Sequence, residues 1–447
     1  MIAGDQIAAD IVIEPDDRIV IAGTSLVARY LPSGALDSTF GAGGYVGSPV
    51  ADGTILHIER DASGRYVIAG TVPQPGGTRS DVWLARLNAD GTTDTSFGNL
   101  GSLLFEFGTP GIHDYLGGLG IDSQGRIIIG GGNDSNANYP YNGFGLSVFA
   151  VARFTSSGAI DTTFSGDGIW IEAPVLNPDH VLAWLVVQPD DRILVSGYES
   201  FLYSPGQPSN SLMARLNTDG TLDTSFSGDG YVSWDAGNMA TGHQHDIAYR
   251  FVLDSAGRIV VANISTMLAS AVSRLNVDGT LDTSFGGTGV VGITFDGQMG
   301  MAAIAVGPDD KPLIGGNTFL TSGFGFKFQL VRLTTAGAYD TTFGGDGRVW
   351  SSFFVHNLGE ALGLQSDGRI ILAGRGAGGT GITTGYDLLI ARYLNDGNVA
   401  SSTTTTITSH SPDPSPIGQA VSVQWTVTSP AGAPSGTVTV SDGVSSC

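Results

Sequence analysis

Residues 213–227 read MARLNTDGTLDTSFS, and the same phrase returns as LVARYLPSGALDSTFG, LARLNADGTTDTSFG, VARFTSSGAIDTTFS, VSRLNVDGTLDTSFG and LVRLTTAGAYDTTFG. A worn seventh copy reads IARYLNDGNVASST. The anchor arginines are Arg29, Arg86, Arg153, Arg215, Arg274, Arg332 and Arg392, spaced by 57, 67, 62, 59, 58 and 60 residues. A second phrase alternates with the first: IVIEPDDRIVIAG, IERDASGRYVIAG, GIDSQGRIIIG, VVQPDDRILVSG, VLDSAGRIVVA, AVGPDDKPLIGG and GLQSDGRIILAG. Its anchors are Arg18, Arg65, Arg126, Arg192, Arg258, Lys311 and Arg369. The chain therefore carries seven copies of a unit of about 60 residues.

Each unit reads as four short strands. Strand a is the apolar run before the DDR or DGR turn, and strand b follows it. Strand c carries the ARL phrase, and strand d follows the DTSFG segment. The Asp/Gly turns are those a tight hairpin requires. No segment keeps a 3.6-residue period, so almost no helix is expected. The expected fold is an all-β, seven-bladed β-propeller of four-stranded blades over residues 1–400. A solenoid would need a shorter coil, and a string of sandwiches a longer unit. The last blade is incomplete: after Arg392 the DxSFG segment is missing, and Asn398–Thr406 is the available stretch for a seventh strand d. Otherwise an edge is left unpaired.

Composition changes at Ser401, where a Thr run and Pro412, Pro414 and Pro416 precede two alternating stretches. Residues 401–447 are expected to be the first part of an Ig-like β-sandwich, cut short of the roughly 100 residues that fold needs. The 447 residues carry 42 acids against 20 Lys plus Arg, a formal charge of −22. That balance argues against a nucleic-acid binder. With 41% hydrophobic residues there is ample surface to bury, so the chain is not a disordered acidic tail. There is no apolar run long enough to span a membrane and no signal peptide at Met1–Ile13, so the chain reads as a fragment. The single cysteine, Cys447, excludes an intrachain disulfide or a cysteine metal cage.

The ARLNxDGxLDTSFGxxG phrase, alternating with PDGRIxxAG at about 60 residues, resembles the delta-60 repeat family of bacterial proteins over residues 1–400. The resemblance implies tandem repeats in large secreted or surface proteins with no agreed biochemical activity. The tail resembles a bacterial Ig-like repeat, which implies a lost partner for Cys447.

Several patterns invite chemistry. Arg and Asp recur at an offset of eight (Arg29/Asp37 through Arg332/Asp340), with Phe three residues after each Asp. Repeated six times, they read as a structural staple rather than six acid–base sites. The Gly-Asp-Gly loops at Asp167, Asp229 and Asp346 lack the further carboxylates calcium needs and read as turns. Neither a phosphate cradle nor GxSxG occurs. The residues thirteen before each DGR-type anchor are Asp5, Asp52, His113, Asp179, His245, Gln298 and His356. With strand a innermost, they would ring one mouth of the central channel, as a ligand site or a divalent-cation site. The plainer reading is that Asp and His start strands by bonding local amides. No metal ligand set is assigned, though His243, His245 and Asp246 are close in sequence. The b–c loops vary in length, and the longest, Asn133–Phe149, carries Tyr139, Tyr141 and Phe144. Insertions gathered on one face mark a binding face. The expected role is a non-enzymatic scaffold or binding module, extracellular or at the cell surface, presenting b–c and d–a loops to a glycan or protein. The alternative is a propeller lyase or hydrolase working at the channel mouth.

Overall fold

The structure, a computed structural model, describes residues 7–396 apart from 75, 77–78, 109–112, 135–147, 173–178, 201–208, 237–245, 266–269, 294–298, 320–324, 355 and 378–385, and beyond them residues 404–411 and 422–428. The chain divides into two units, Met1–Gly397 and Asn398–Cys447.

The first repeat supplies β1 (Ala8–Ile13), β2 (Ile19–Gly23), β3 (Leu26–Tyr30) and β4 (Tyr45–Gly47). The second supplies β5 (Thr54–Arg60), β6 (Tyr66–Pro73), β7 (Ser80–Leu87) and β8 (Ser102–Phe105). The third supplies β9 (His113–Ile121), β10 (Ile127–Asp134), β11 (Ala150–Phe154) and β12 (Ile169–Ile171). The fourth supplies β13 (Asp179–Val187), β14 (Ile193–Ser200), β15 (Asn210–Leu216) and β16 (Tyr231–Trp234). The fifth supplies β17 (Asp246–Leu253), β18 (Ile259–Ser265), β19 (Ser270–Leu275) and β20 (Val290–Ile293). The sixth supplies β21 (Met299–Val306), β22 (Pro312–Phe319), β23 (Phe326–Arg332) and β24 (Arg348–Ser351). The seventh supplies β25 (His356–Leu364), β26 (Ile370–Ala377) and β27 (Asp387–Tyr393), and the second unit holds β28 (Thr404–Ser411) and β29 (Ser422–Thr428).

The expectation of seven four-stranded blades is corrected by this topology. Five repeats form separate four-stranded antiparallel sheets, while repeats six and seven merge into one seven-stranded sheet. The molecule is thus an all-β propeller with five four-stranded blades, not seven, and no helix among the described residues. Two local causes account for it. His356 opens β25 and pairs in parallel with Phe326 of β23, which joins the two repeats. The seventh repeat has Ala400 where the others have Asp, and its sheet ends at β27. Strand d begins sixteen residues after each of the other anchor arginines; that position after Arg392 falls in β28, which pairs with β29. Of the expected strand at Asn398–Thr406, residues 398–403 lie outside the described residues, and Thr404–Thr406 pair with Thr428–Thr426 in the two-stranded sheet. Of the expected Ig-like sandwich, only this antiparallel pair lies within the described residues.

Local chemistry explains the regular parts. The residue before each anchor of the second phrase sits at positive φ: Asp17, Gly64, Gly125, Asp191, Gly257, Asp310 and Gly368. Asp and Gly are the residues that tolerate this conformation, which closes the a–b turn. Where it is Asp, the carboxylate clips the preceding repeat: Asp191 accepts from Ser123, Asp310 from Ser255, and Asp17 from Ser366, each through backbone N–H and hydroxyl. The Arg/Asp/Phe set is the staple the spacing predicts. Arg215 Nε donates to Asp223 Oδ2 at 2.7 Å, Nη2 to Ser225, and Nη1 to the carbonyl of Val277 in the next repeat, while the guanidinium lies 4.6 Å from the centre of the Phe226 ring. All six complete copies repeat this arrangement.

The core lies between repeats. Each apolar cluster joins two neighbours; Phe97 fills the one between repeats two and three, and Phe285 the one between five and six. The first strands pack side by side in a closed circuit, with β25 returning onto β1. Arg392 Nη1 reaches the Pro32 carbonyl, so the arginine link also closes the circuit. Among the described residues no helix is long and apolar enough to cross a membrane.

Candidate functional site

Every inner strand carries a β-bulge at one position. The bulged residues are Ala9, Leu56, Gly117, Ala183, Tyr249, Ala302 and Glu360, each nine before its anchor. A bulge bends its strand and re-aims the next side chain. Strand b must then accept a carbonyl pressed against it. At Gly70, Gly197 and Gly374, opposite the bulge, an added Cβ would overlap the carbonyl oxygens of Thr54, Val181 and Leu358. That is the physical reason the second phrase ends in Gly. The fifth repeat uses Asn263 here, its amide bonded to Val261, Ala271 and Ser273.

The residues after the bulges are Asp10, His57, Gly118, Trp184, Arg250, Ala303 and Ala361, and Asp10, His57, Trp184 and Arg250 meet one another. A central cavity of about 180 Å³ is lined from all seven inner strands, by Asp10, Glu59, Leu119, Trp184, Arg250, Ile304 and Leu362 among others. Asp10 is held by two backbone amides, Ile11 N at 2.9 Å and Ile58 N at 3.2 Å. His57 Nδ1 lies 3.7 Å from Asp10 Oδ2, and its ring meets Trp184 edge-on at 5.3 Å. The Arg250 guanidinium lies 4.4 Å from the centre of the Trp184 ring and donates to the Ala9 carbonyl at 3.4 Å.

Glu59 faces the same cavity. Burial, and then the Asp10 carboxylate beside it, push its carboxyl up to about 8, against the Arg60 amide. Glu59 is half-buried and lines the cavity. Near neutral pH the wall thus offers a protonated acid on Glu59, two amide-held oxygens on Asp10 and a guanidinium on Arg250. Glu360 is raised by burial, opposed by Arg375 and Arg250.

The predicted mouth ring is only partly within the described residues. Asp5, His245 and Gln298 lie outside them, as does the side chain of Asp179, and so do Tyr139, Tyr141, Phe144 and His243. Asp52 is exposed in a turn at φ 59°. His113 Nδ1 accepts from Ser80 N at 3.1 Å, a local bond to the neighbouring repeat. His356 is 4% exposed, packed on Phe326, and among the described residues neither ring nitrogen has a hydrogen-bond partner. No group of three His, Cys, Asp or Glu able to hold a metal occurs among the described residues. The Gly-Asp-Gly carboxylates of Asp167, Asp229 and Asp346 each accept from the amide two residues on, as turns do. The buried anchors of the d–a connections come one residue after the ring positions. Asp246 accepts from Ala236 N, His180 bonds Glu172, and Asn357 accepts from Phe353 and Phe354.

The family described as "Domain of unknown function (DUF5122) beta-propeller" matches residues 14–40, 62–97, 188–226 and 257–285. None of the curated proteins compared with the sequence matches it. Among solved structures, a protein of unknown function from Bacteroides caccae is 11% identical over 71% of this chain and 88% of that one, with a TM-score of 0.38. A glucose dehydrogenase is 14% identical over 70% and 95%, with a TM-score of 0.39. The extracellular domains 1-2 of Drosophila Semaphorin 1a are 10% identical over 87% and 86%, with a TM-score of 0.47. The four family matches fall on the repeated phrases that build the sheets, and the chain is a β-propeller repeat protein.

Proposed function

We propose that this chain is a binding module that seats one saccharide unit of a glycan in the central cavity. The observation that carries the reading is the polar set on an otherwise apolar ring: Asp10, Glu59 and Arg250 beside Trp184, all lining one cavity. Together they offer acceptors, a carboxylic acid donor, a guanidinium fork and an apolar ring edge, the mixture a polyol needs. At about 180 Å³ the cavity is smaller than the roughly 300–1,000 Å³ of drug-sized sites, which favours a single ring over a chain. The wider role, a secreted or surface protein with residues 401–447 opening an Ig-like stalk, rests on the sequence resemblance.

One observation favours the catalytic alternative, a lyase or hydrolase. Asp10 and Glu59 are neighbouring carboxyls with environments that differ, the arrangement from which acid–base pairs are made. Both readings meet in one experiment. The full chain is screened by thermal shift against monosaccharides and uronic acids, and each hit is followed for turnover. Binding that disappears in Glu59→Gln and Arg250→Met without turnover supports the module, and turnover supports the enzyme. Hits that persist in both variants place the ligand elsewhere.

A further inference from the structure

Six repeats define what a complete outer edge looks like, and the seventh keeps of it only the Arg392 Nη1 bond to the next repeat's carbonyl. In each of the six, the anchor arginine's N–H donates to a glycine carbonyl ahead of strand d, and its carbonyl accepts from the staple Asp N–H. Arg274, for example, donates to Gly289 and accepts from Asp282, both at 2.9 Å. Among the described residues Arg392 has neither partner. At the matching positions the sequence has Ala400 in place of the staple Asp and Thr403 in place of the wedge Phe, and among the described residues the guanidinium meets neither a carboxylate nor a ring.

The receiving side is also unfilled. A Cβ on Gly91, Gly158, Gly220, Gly279 or Gly337 would touch the wedge Phe of the preceding repeat. At Gly34, the matching glycine of repeat one, nothing among the described residues lies within 4 Å. The apolar cluster of this junction has five buried residues, none aromatic, and leaves Tyr30, Leu388 and Ile390 partly open. The chain's own residues at the strand-d position are used in β28, paired to β29.

We propose that β27 accepts a strand from another polypeptide, carrying Asp, then Phe three residues on, then an apolar strand. The Asp would meet Arg392, the Phe would enter the seam at Gly34, and the strand would pair with β27 by backbone bonds. A second copy of this chain is disfavoured as donor, because its six matching segments are already held in its own sheets.

The probe is a labelled peptide with the sequence of residues 280–293, TLDTSFGGTGVVGI, titrated into the full chain by fluorescence anisotropy. Expected is saturable binding, about tenfold weaker when the peptide carries Asp282→Asn and about tenfold weaker with Phe285→Ala. These changes leave the protein's own folding untouched. On the protein, Arg392→Ala should weaken the parent peptide about tenfold and leave the Asp282→Asn peptide no weaker still, the coupling expected of a direct pair. The proposal is overturned if a scrambled peptide binds as well, or if the cycle shows no coupling. It is equally overturned if the chain is a dimer by ultracentrifugation and the dimer excludes the peptide, which would make a second copy the occupant.

Discussion

Arg274→Ala and Arg392→Ala are the same substitution at equivalent positions, and the structure assigns them different costs. Arg274 is 2% exposed and pairs with Asp282 at 2.8 Å, the Thr335 carbonyl at 2.5 Å and Ser284 Oγ at 3.1 Å, with its guanidinium 4.7 Å from the centre of the Phe285 ring. Removing one partner of a buried ion pair costs about 3–5 kcal/mol, because the other charge is stranded. Arg258 stands 3.5 Å from the same carboxylate and offsets part of that, which puts the expected loss near the lower end, about 3 kcal/mol. Among the described residues the Arg392 side chain makes one bond, to the Pro32 carbonyl, and strands no carboxylate, so its loss is about 1 kcal/mol. Five of the six tryptophans (Trp83, Trp170, Trp184, Trp234 and Trp350) lie in the propeller unit, so urea unfolding followed by tryptophan fluorescence reports on it. With equal slopes, the midpoint should shift about three times further for Arg274→Ala. Equal shifts would mean that the repeated carboxylate and ring contribute nothing, and the staple reading would fail.

Other perturbations follow from the same geometry. Phe226→Ala empties a fully buried wedge between repeats four and five and should cost about 3–5 kcal/mol, whereas Phe354→Ala, at a 41% exposed ring, should cost under about 1 kcal/mol, both by urea titration. Gly197→Ala and Gly374→Ala drive a Cβ into a bulge carbonyl and should lower the melting temperature more than Gly34→Ala, which strains only its own turn. Burial raises the Asp223 carboxyl, but Ser225 and then Arg215 and Arg192 outweigh it and hold it at about 2. A depressed acid stabilises the fold above its unfolded value, so about 2 kcal/mol should be lost as pH falls from about 4 to about 2, and Asp223→Asn should flatten that limb of the curve. Glu59 works in the opposite sense. Its raised carboxyl makes stability fall as pH climbs from about 4.5 to about 8, so Glu59→Gln should match the parent at pH 4.5 and exceed it by roughly 1–3 kcal/mol at pH 8.5.

The sequence made the repeat, the turn conformers and the staples legible because each is set by chemistry within a dozen residues. Asp or Gly before the anchor dictates a left-handed turn, and Arg with Asp eight residues on is one short contact. The blade count was not legible in that way. Whether a repeat closes its own sheet depends on a parallel bridge from His356 to Phe326 and on where residues 404–411 pair, both long-range outcomes. The cavity residues were missed for a different reason. A count of thirteen back from the anchor reaches the strand start, whereas Asp10, Trp184 and Arg250 stand eight back, just past the bulge, and Glu59 six back. Nothing in period-two reasoning announces a bulge. The signal available was the contrast at offset eight, where small residues in three repeats alternate with Asp10, His57, Trp184 and Arg250.

That contrast also bears on what the ring is for. The seven inner strands share one backbone path, so the fold accepts Gly118, Ala303 or Ala361 at the post-bulge position as well as a charge. Apolar or small residues there would carry no desolvation cost, while an acid near the axis carries one large enough to hold Glu59 protonated at neutral pH. The staples cannot account for that expense, since they lie at the opposite end of each sheet and are complete without it. The polar set is therefore a non-repeated feature on a repeated scaffold, costly to the fold and confined to one cavity. A ligand that bonds Asp10, Glu59 and Arg250 together would offset the cost, and this is why stability of Glu59→Gln and ligand binding are expected to move in opposite directions.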